Sequence, residues 1–133
     1  MATVTQLKTG LATALATITG LRAYAYQPDQ VNPPFAWPTL ESIHYHDAMG
    51  AGLQTYEFKV TCVVGRSSER SAQNTLDAYL SYTGVRAALE ADRTLGGVCD
   101  SLIVESASNI STIDANDGLY LFVDYRVLIY AEG

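Results

Sequence analysis

His44 and His46 stand two residues apart, a spacing that on an extended strand projects both imidazoles from one face, as some metal sites require. A tight site needs a third and usually a fourth ligand. Asp47 follows directly but points elsewhere if the strand continues, and neither Cys62 nor Cys99 has the local spacing to complete a set. The expectation is two histidines on a partly exposed strand, with no metal and no cofactor.

A nucleophilic serine needs a base within hydrogen-bond reach and a third group to orient that base. No serine here lies in a Gly-x-Ser-x-Gly elbow, and neither cysteine sits near a histidine in sequence. Glu90 with Asp92 and Asp114 with Asp117 are paired carboxylates, but the first pair flanks a helix end and the second lies in a turn. The run Asp114-Ala115-Asn116-Asp117-Gly118 has its glycine one position too early for a calcium loop and lacks the distal glutamate. Gly50-Ala51-Gly52 is too short to cradle phosphate, and Asn109-Ile110-Ser111 matters as a glycosylation signal only in a secreted chain. No enzyme is expected.

The totals narrow the class further. At 133 residues and 48% apolar composition the chain suits one domain, residues 1–133, around one core. Fourteen acidic side chains against eight basic ones give a charge of -6, and the basic residues are scattered, so the clustered footprint of tight nucleic-acid binding is missing. No apolar run approaches the ~20 residues that span a bilayer, and the start of the chain lacks a signal-peptide pattern, which predicts folding in the cytoplasm and no membrane partner. The two cysteines are expected to be buried free thiols.

The elements that position these residues follow from periodicity. Val4, Leu7, Leu11, Leu15 and Ile18 form one helical stripe, Thr3 with Gln6 fits a capping box, and Gly20 supplies a stop. A short strand is predicted around residues 23–26. Pro28, Pro33, Pro34 and Pro38 then predict an ordered loop or edge segment over 27–38, pinned by Phe35 and Trp37.

Residues 39–46 and 54–64 read as a hairpin with a long tip at 47–53, and Tyr56, Phe58, Val60, Cys62 and Val64 share one face of its second arm while Thr55, Glu57, Lys59 and Thr61 share the other. Ser67 or Ser68 caps a second helix that carries Glu69 in its first turn and buries Ala72, Leu76, Tyr79 and Leu80. Thr83-Gly84 interrupts it, and a short helix covers about 85–91. After Leu95-Gly96-Gly97 come a strand over about 98–106, a polar loop, the turn pair Asp117-Gly118 and a last strand over 119–130. In that strand Leu119, Leu121, Val123, Tyr125, Val127 and Ile129 form one apolar face.

The order predicts an α+β fold, a mainly antiparallel sheet with helices packed on one face. At ~3.3 Å per residue the last strand is about 40 Å long, against a diameter of roughly 36 Å for a globule of this size. Strands of that length reach the domain's edge, and a stable protein must cover such edges or use them with defined partners.

The stretch from Tyr56 to Leu80, with Gly65-Arg66-Ser67 as a turn and Ala72-Gln73 and Leu76-Asp77-Ala78-Tyr79-Leu80 in a helix, resembles the tail terminator proteins of long-tailed bacteriophages. The short helix and Leu-Gly-Gly turn of that family are matched by Val85 to Asp100. Where such proteins commonly carry a serine before the short helix, this chain has Gly84. The specific part of the resemblance covers about residues 56–105, and the rest of the chain agrees in pattern.

The resemblance implies a tail-terminator-like fold and a hexameric ring at the head-proximal end of the tail tube. Such a ring stops tube growth, joins the tail to the head-tail connector or stopper protein, and passes genomic DNA through its lumen without specific binding. Assembly would take place in the host cytoplasm, with the product in the virion tail.

Candidate contacts to the tube protein, the neighbouring copy or the connector are Phe35 and Trp37 in the proline loop, Asp47, Met49 and Leu53 in the hairpin tip, and Asn109, Ile110 and Asn116 in the polar loop. Two alternatives are a head-completion or stopper ring of the connector, and a small metal- or ligand-binding domain using His44 and His46.

Overall fold

Thr3 begins the first helix as the spacing predicts: its Oγ1 accepts from the Gln6 amide at 3.1 Å, and Gln6 Oε1 accepts from the Thr3 amide at 3.0 Å. The resulting helix α1 (Val4–Leu15) buries Leu7, Leu11 and Leu15 completely. The computed structural model describes residues 3–18, 21–26, 34–48, 53–66, 70–81, 84–91, 93–95, 97, 99, 101–115 and 118–132. Gly20, Pro28, Pro33, the Gly50–Gly52 run, the residues 67–69 expected to start the second helix, Thr83 and Asp92 lie outside them.

The sheet follows the order β1-β2-β3-β5-β4, with β1 (Arg22–Ala23), β2 (Phe35–Ala48), β3 (Leu53–Arg66), β4 (Ser101–Ala115) and β5 (Gly118–Glu132). All neighbours are antiparallel except β1 and β2. Helices α2 (Arg70–Leu80) and α3 (Val85–Glu90) lie between β3 and β4 in the chain. This is the α+β class expected.

β1 is shorter than the predicted 23–26, and Pro38 explains why. The Arg22 and Tyr24 amides donate to the Pro34 and Ala36 carbonyls, so alternate residues of β2 face β1. Pro38 is next in that series and has no N–H to give, so the parallel ladder stops.

The stretch expected as an ordered loop or edge segment and the one expected as a polar loop both contain strand. Phe35, Trp37 and Pro38 belong to β2, where Phe35 pairs with Val63 and Pro38 with Val60. Pro38 is tolerated because its missing donor falls on the outer edge and leaves the ladder to β3 intact. The polar stretch after Ser106 is the second half of β4, paired with β5 as far as Ala115 and Gly118. Its described side chains from Glu105 to Thr112 are exposed, so its polarity marks an edge strand facing solvent rather than a loop. Gly118, expected in the turn, accordingly lies in β5, and its predicted turn partner Asp117 lies outside the described residues.

One face of the sheet carries the core. Tyr56, Phe58, Val60, Cys62 and Val64 of β3 join Val123, Tyr125, Val127 and Ile129 of β5 under Leu7, Leu11, Leu76, Tyr79, Val85 and Leu89 of the helices. Leu119, expected on the same face, is 50% exposed because β5 here has passed the last paired residue of β3, Arg66 opposite Tyr120. Leu95 takes a left-handed backbone (φ 50°) and docks on α1 at Gly10, where an added Cβ would stand 3.0 Å from the Leu95 Cβ.

Candidate functional site

The opposite sheet face carries no described helix, and its residues fall into two groups. Near the start of β2, Phe35, Val63 and Tyr120 are buried together, with Tyr24, Trp37 and Phe122 packed against them. The Phe35 and Trp37 rings stack 5.4 Å apart and Tyr24 meets Phe35 edge-on at 6.3 Å. The side chains expected to pin a proline loop therefore form an aromatic patch on the sheet.

Further along the same face lies a polar network. Glu57 of β3 accepts from the Ser42 hydroxyl and from Arg126 Nη2 at 2.5 Å, while Arg126 Nε stands 3.5 Å from Glu105 of β4. The Ser42 hydroxyl does most to hold the Glu57 carboxyl below its ordinary range; burial opposes this, and the Arg126 and His44 charges add to the lowering. Thr61 donates to Asp124 at 2.8 Å in the buried centre of the face. These partners were missed in sequence because each pair joins residues of different strands, and only register brings them together.

His44 Nε2 lies 3.5 Å from Glu57, and the His46 side chain falls outside the described residues. Among the described residues, no three His, Cys, Asp or Glu side chains gather as a metal site. Cys62 and Cys99 are buried and unbridged; desolvation pushes the Cys62 thiol up to about 12. Glu90, considered as half of a carboxylate pair, has a structural task. It lies 3.3 Å from Arg86 and 3.6 Å from Arg93 and accepts the Val104 amide at 3.0 Å, fastening α3 to the outer side of β4. No helix among the described residues is long and apolar enough to cross a membrane.

The two edges of the sheet differ. β1 covers only Phe35 and Ala36 of β2, and among the described residues no strand pairs with the outer side of β4. Beside Val104–Ala107 runs a groove of about 550 Å³ walled by Tyr79, Leu80, Arg86 and Tyr125.

Of the candidate contact residues, Ile110 is 52% exposed on β4. Asp47, Leu53 and Asn109 lie in β2, β3 and β4, with side chains outside those described, as are Met49 and Asn116. β2 and β3 close at Ala48 opposite Leu53, and β4 and β5 close at Ala115 opposite Gly118. The antiparallel register puts these two groups of candidates at opposite ends of the sheet, with Phe35 and Trp37 between them. No protein-family model matches the chain, and the curated proteins contain no match to it.

Proposed function

We propose that this protein is the tail terminator of a long-tailed bacteriophage, a hexameric ring that caps the head-proximal end of the tail tube and joins it to the head connector. The observation that carries this reading is a sheet whose two edges differ in chemistry and, among the described residues, are largely uncovered. A ring needs heterologous contacts, in which one surface of a subunit meets a different surface of the next.

The placement of the two hairpin ends supports the same reading, since a terminator must meet the tube on one side and the connector on the other. The segments that resemble the family form β3, α2 and α3, the unit that builds much of the core. The charge of -6 per subunit suits a lumen that lets DNA pass, because like charge weakens retention of phosphates.

The test is removal of the gene from the virus that carries it. Heads beside abnormally long or unjoined tails are expected. Normal tails on complete particles would refute the reading.

A further inference from the structure

β4 is an edge strand whose second half is guarded by bulges alone. Residues 106–112 include no proline and no charged side chain, the devices that keep exposed edges from pairing, and only bulges interrupt the strand. The bulge between Ser108 and Ser111 leaves the apolar Ile110 exposed at this edge. Of its outward amides, that of Val104 is taken up by Glu90. Beyond it no backbone partner on that side is found among the described residues.

The edge of β2 is defended only in part. Arg22–Ala23 cover its first residues and Pro38 removes the next donor, but among the described residues no strand covers 39–48. That stretch carries the exposed Glu41 and, further on, Asp47. Two β2 edges brought together would line up acidic residues from both copies, whereas residues 106–113 of β4 are uncharged.

We infer that β4 of one copy pairs with β2 of a second copy, residues 106–115 alongside 48–39, the bulges in both strands breaking the ladder into short stretches, with Ile110 near His44. β2, β3, β5 and β4 alternate in direction, so two copies related by rotation about an axis to which the strands are inclined bring β4 and the neighbour's β2 together antiparallel. The ladder then continues from subunit to subunit. β2's open part lies toward Ala48 and β4's toward Ala115, at opposite ends of the sheet. The neighbour is therefore displaced along the strands, the stagger that tilted strands require when a sheet closes. A β4–β4 contact would be two-fold, stop at a dimer and leave β2 open. This deepens the ring reading and rests on it for closure, while the pairing of the two edges is tested separately.

The test is cross-linking of the whole chain with a short bis-maleimide, using Ile110→Cys and His44→Cys separately and together. Cys62 and Cys99 are buried, so the native thiols stay silent. The double variant is expected to give a ladder of covalent multimers and each single variant none. A dimer from Ile110→Cys alone would overturn the inference in favour of β4–β4 pairing. A protein that associates without any ladder, or that stays monomeric up to its solubility, also overturns it.

Hydrogen exchange on the unmodified protein is the second measurement. The amides of 106–112 should exchange at least roughly tenfold more slowly in the assembled state than in the diluted one, and equal rates in the two states count against the pairing. A ladder combined with normal tails after gene removal defeats the tail reading and leaves the pairing intact. A hexamer that does not cross-link does the reverse.

Discussion

The Tyr125 hydroxyl on β5 donates to the Tyr79 carbonyl in the last turn of α2, at 3.0 Å and between two buried residues. Carbonyls at a helix C-terminus have no partner within the helix, and one that is buried must find another. A strand side chain thus completes a helix end from across the core. Tyr125→Phe keeps the ring and removes the donor, so a loss of about 1–3 kcal/mol is expected. Urea unfolding of the two proteins measures it, and an unchanged midpoint would show that the bond contributes nothing net.

Gly84 lies against the same carbonyl. A Cβ there would stand 2.3 Å from the Tyr79 oxygen and 2.5 Å from that of Ala78, both backbone atoms that cannot rotate away. The corner between α2 and α3 therefore depends on the absent side chain, and any larger residue would not fit without moving a helix. Gly84→Ala is expected to cost about 1–3 kcal/mol through overpacking, and alanine is also the poorer residue at this N-cap, whose backbone is not helical. Thermal unfolding measures the loss, and a raised midpoint would mean the corner relaxes freely.

What could be read from the sequence was whatever depends on near neighbours. The Thr3–Gln6 cap, the Leu7–Leu11–Leu15 stripe and the Tyr56–Val64 face lie where local spacing puts them. The second half of β4 was illegible because an edge strand exposed to solvent has no reason to alternate apolar with polar residues. The start of β2 was hidden by prolines whose missing donors face outward. Phe35 and Trp37 were singled out by residue type, but their stacking against each other and beside Tyr24 required the strand. Glu57 with Arg126 needed the β3–β5 register, which no short-range pattern encodes.

Glu57 makes the polar face sensitive to acid. Its carboxyl titrates below the ordinary value, chiefly through Ser42 and then, against some burial, through Arg126. A depressed folded pKa gives stability that is present above the unfolded value of about 4.3 and lost as pH falls through the lowered one. Glu57→Gln removes that dependence. Urea midpoints at neutral pH and at about pH 3.5 are expected to fall further for the parent protein than for the variant. Equal falls would assign acid sensitivity to other carboxylates.

Cys62 gives the opposite dependence at alkaline pH. Its thiol is held up to about 12 by desolvation, and Tyr79 is likewise raised to about 12, by desolvation first and then by Cys62. An unfolded chain ionises its cysteines near 8.5 and its tyrosines near 10. Because the folded pKa is the higher one, the unfolded state sheds protons first. Stability is therefore complete below about pH 8.5 and declines as pH rises beyond it, by about 1.4 kcal/mol per pH unit for one such group. The decline steepens above about pH 10, where Tyr79 and Tyr125 join it. Cys62→Ala creates a cavity and lowers stability at every pH, but it should flatten the slope between about pH 8.5 and 10. Unfolding measured across that range in reductant separates the constant cavity cost from the slope. An unchanged slope would mean that the Cys62 thiol ionises as easily in the core as in the unfolded chain.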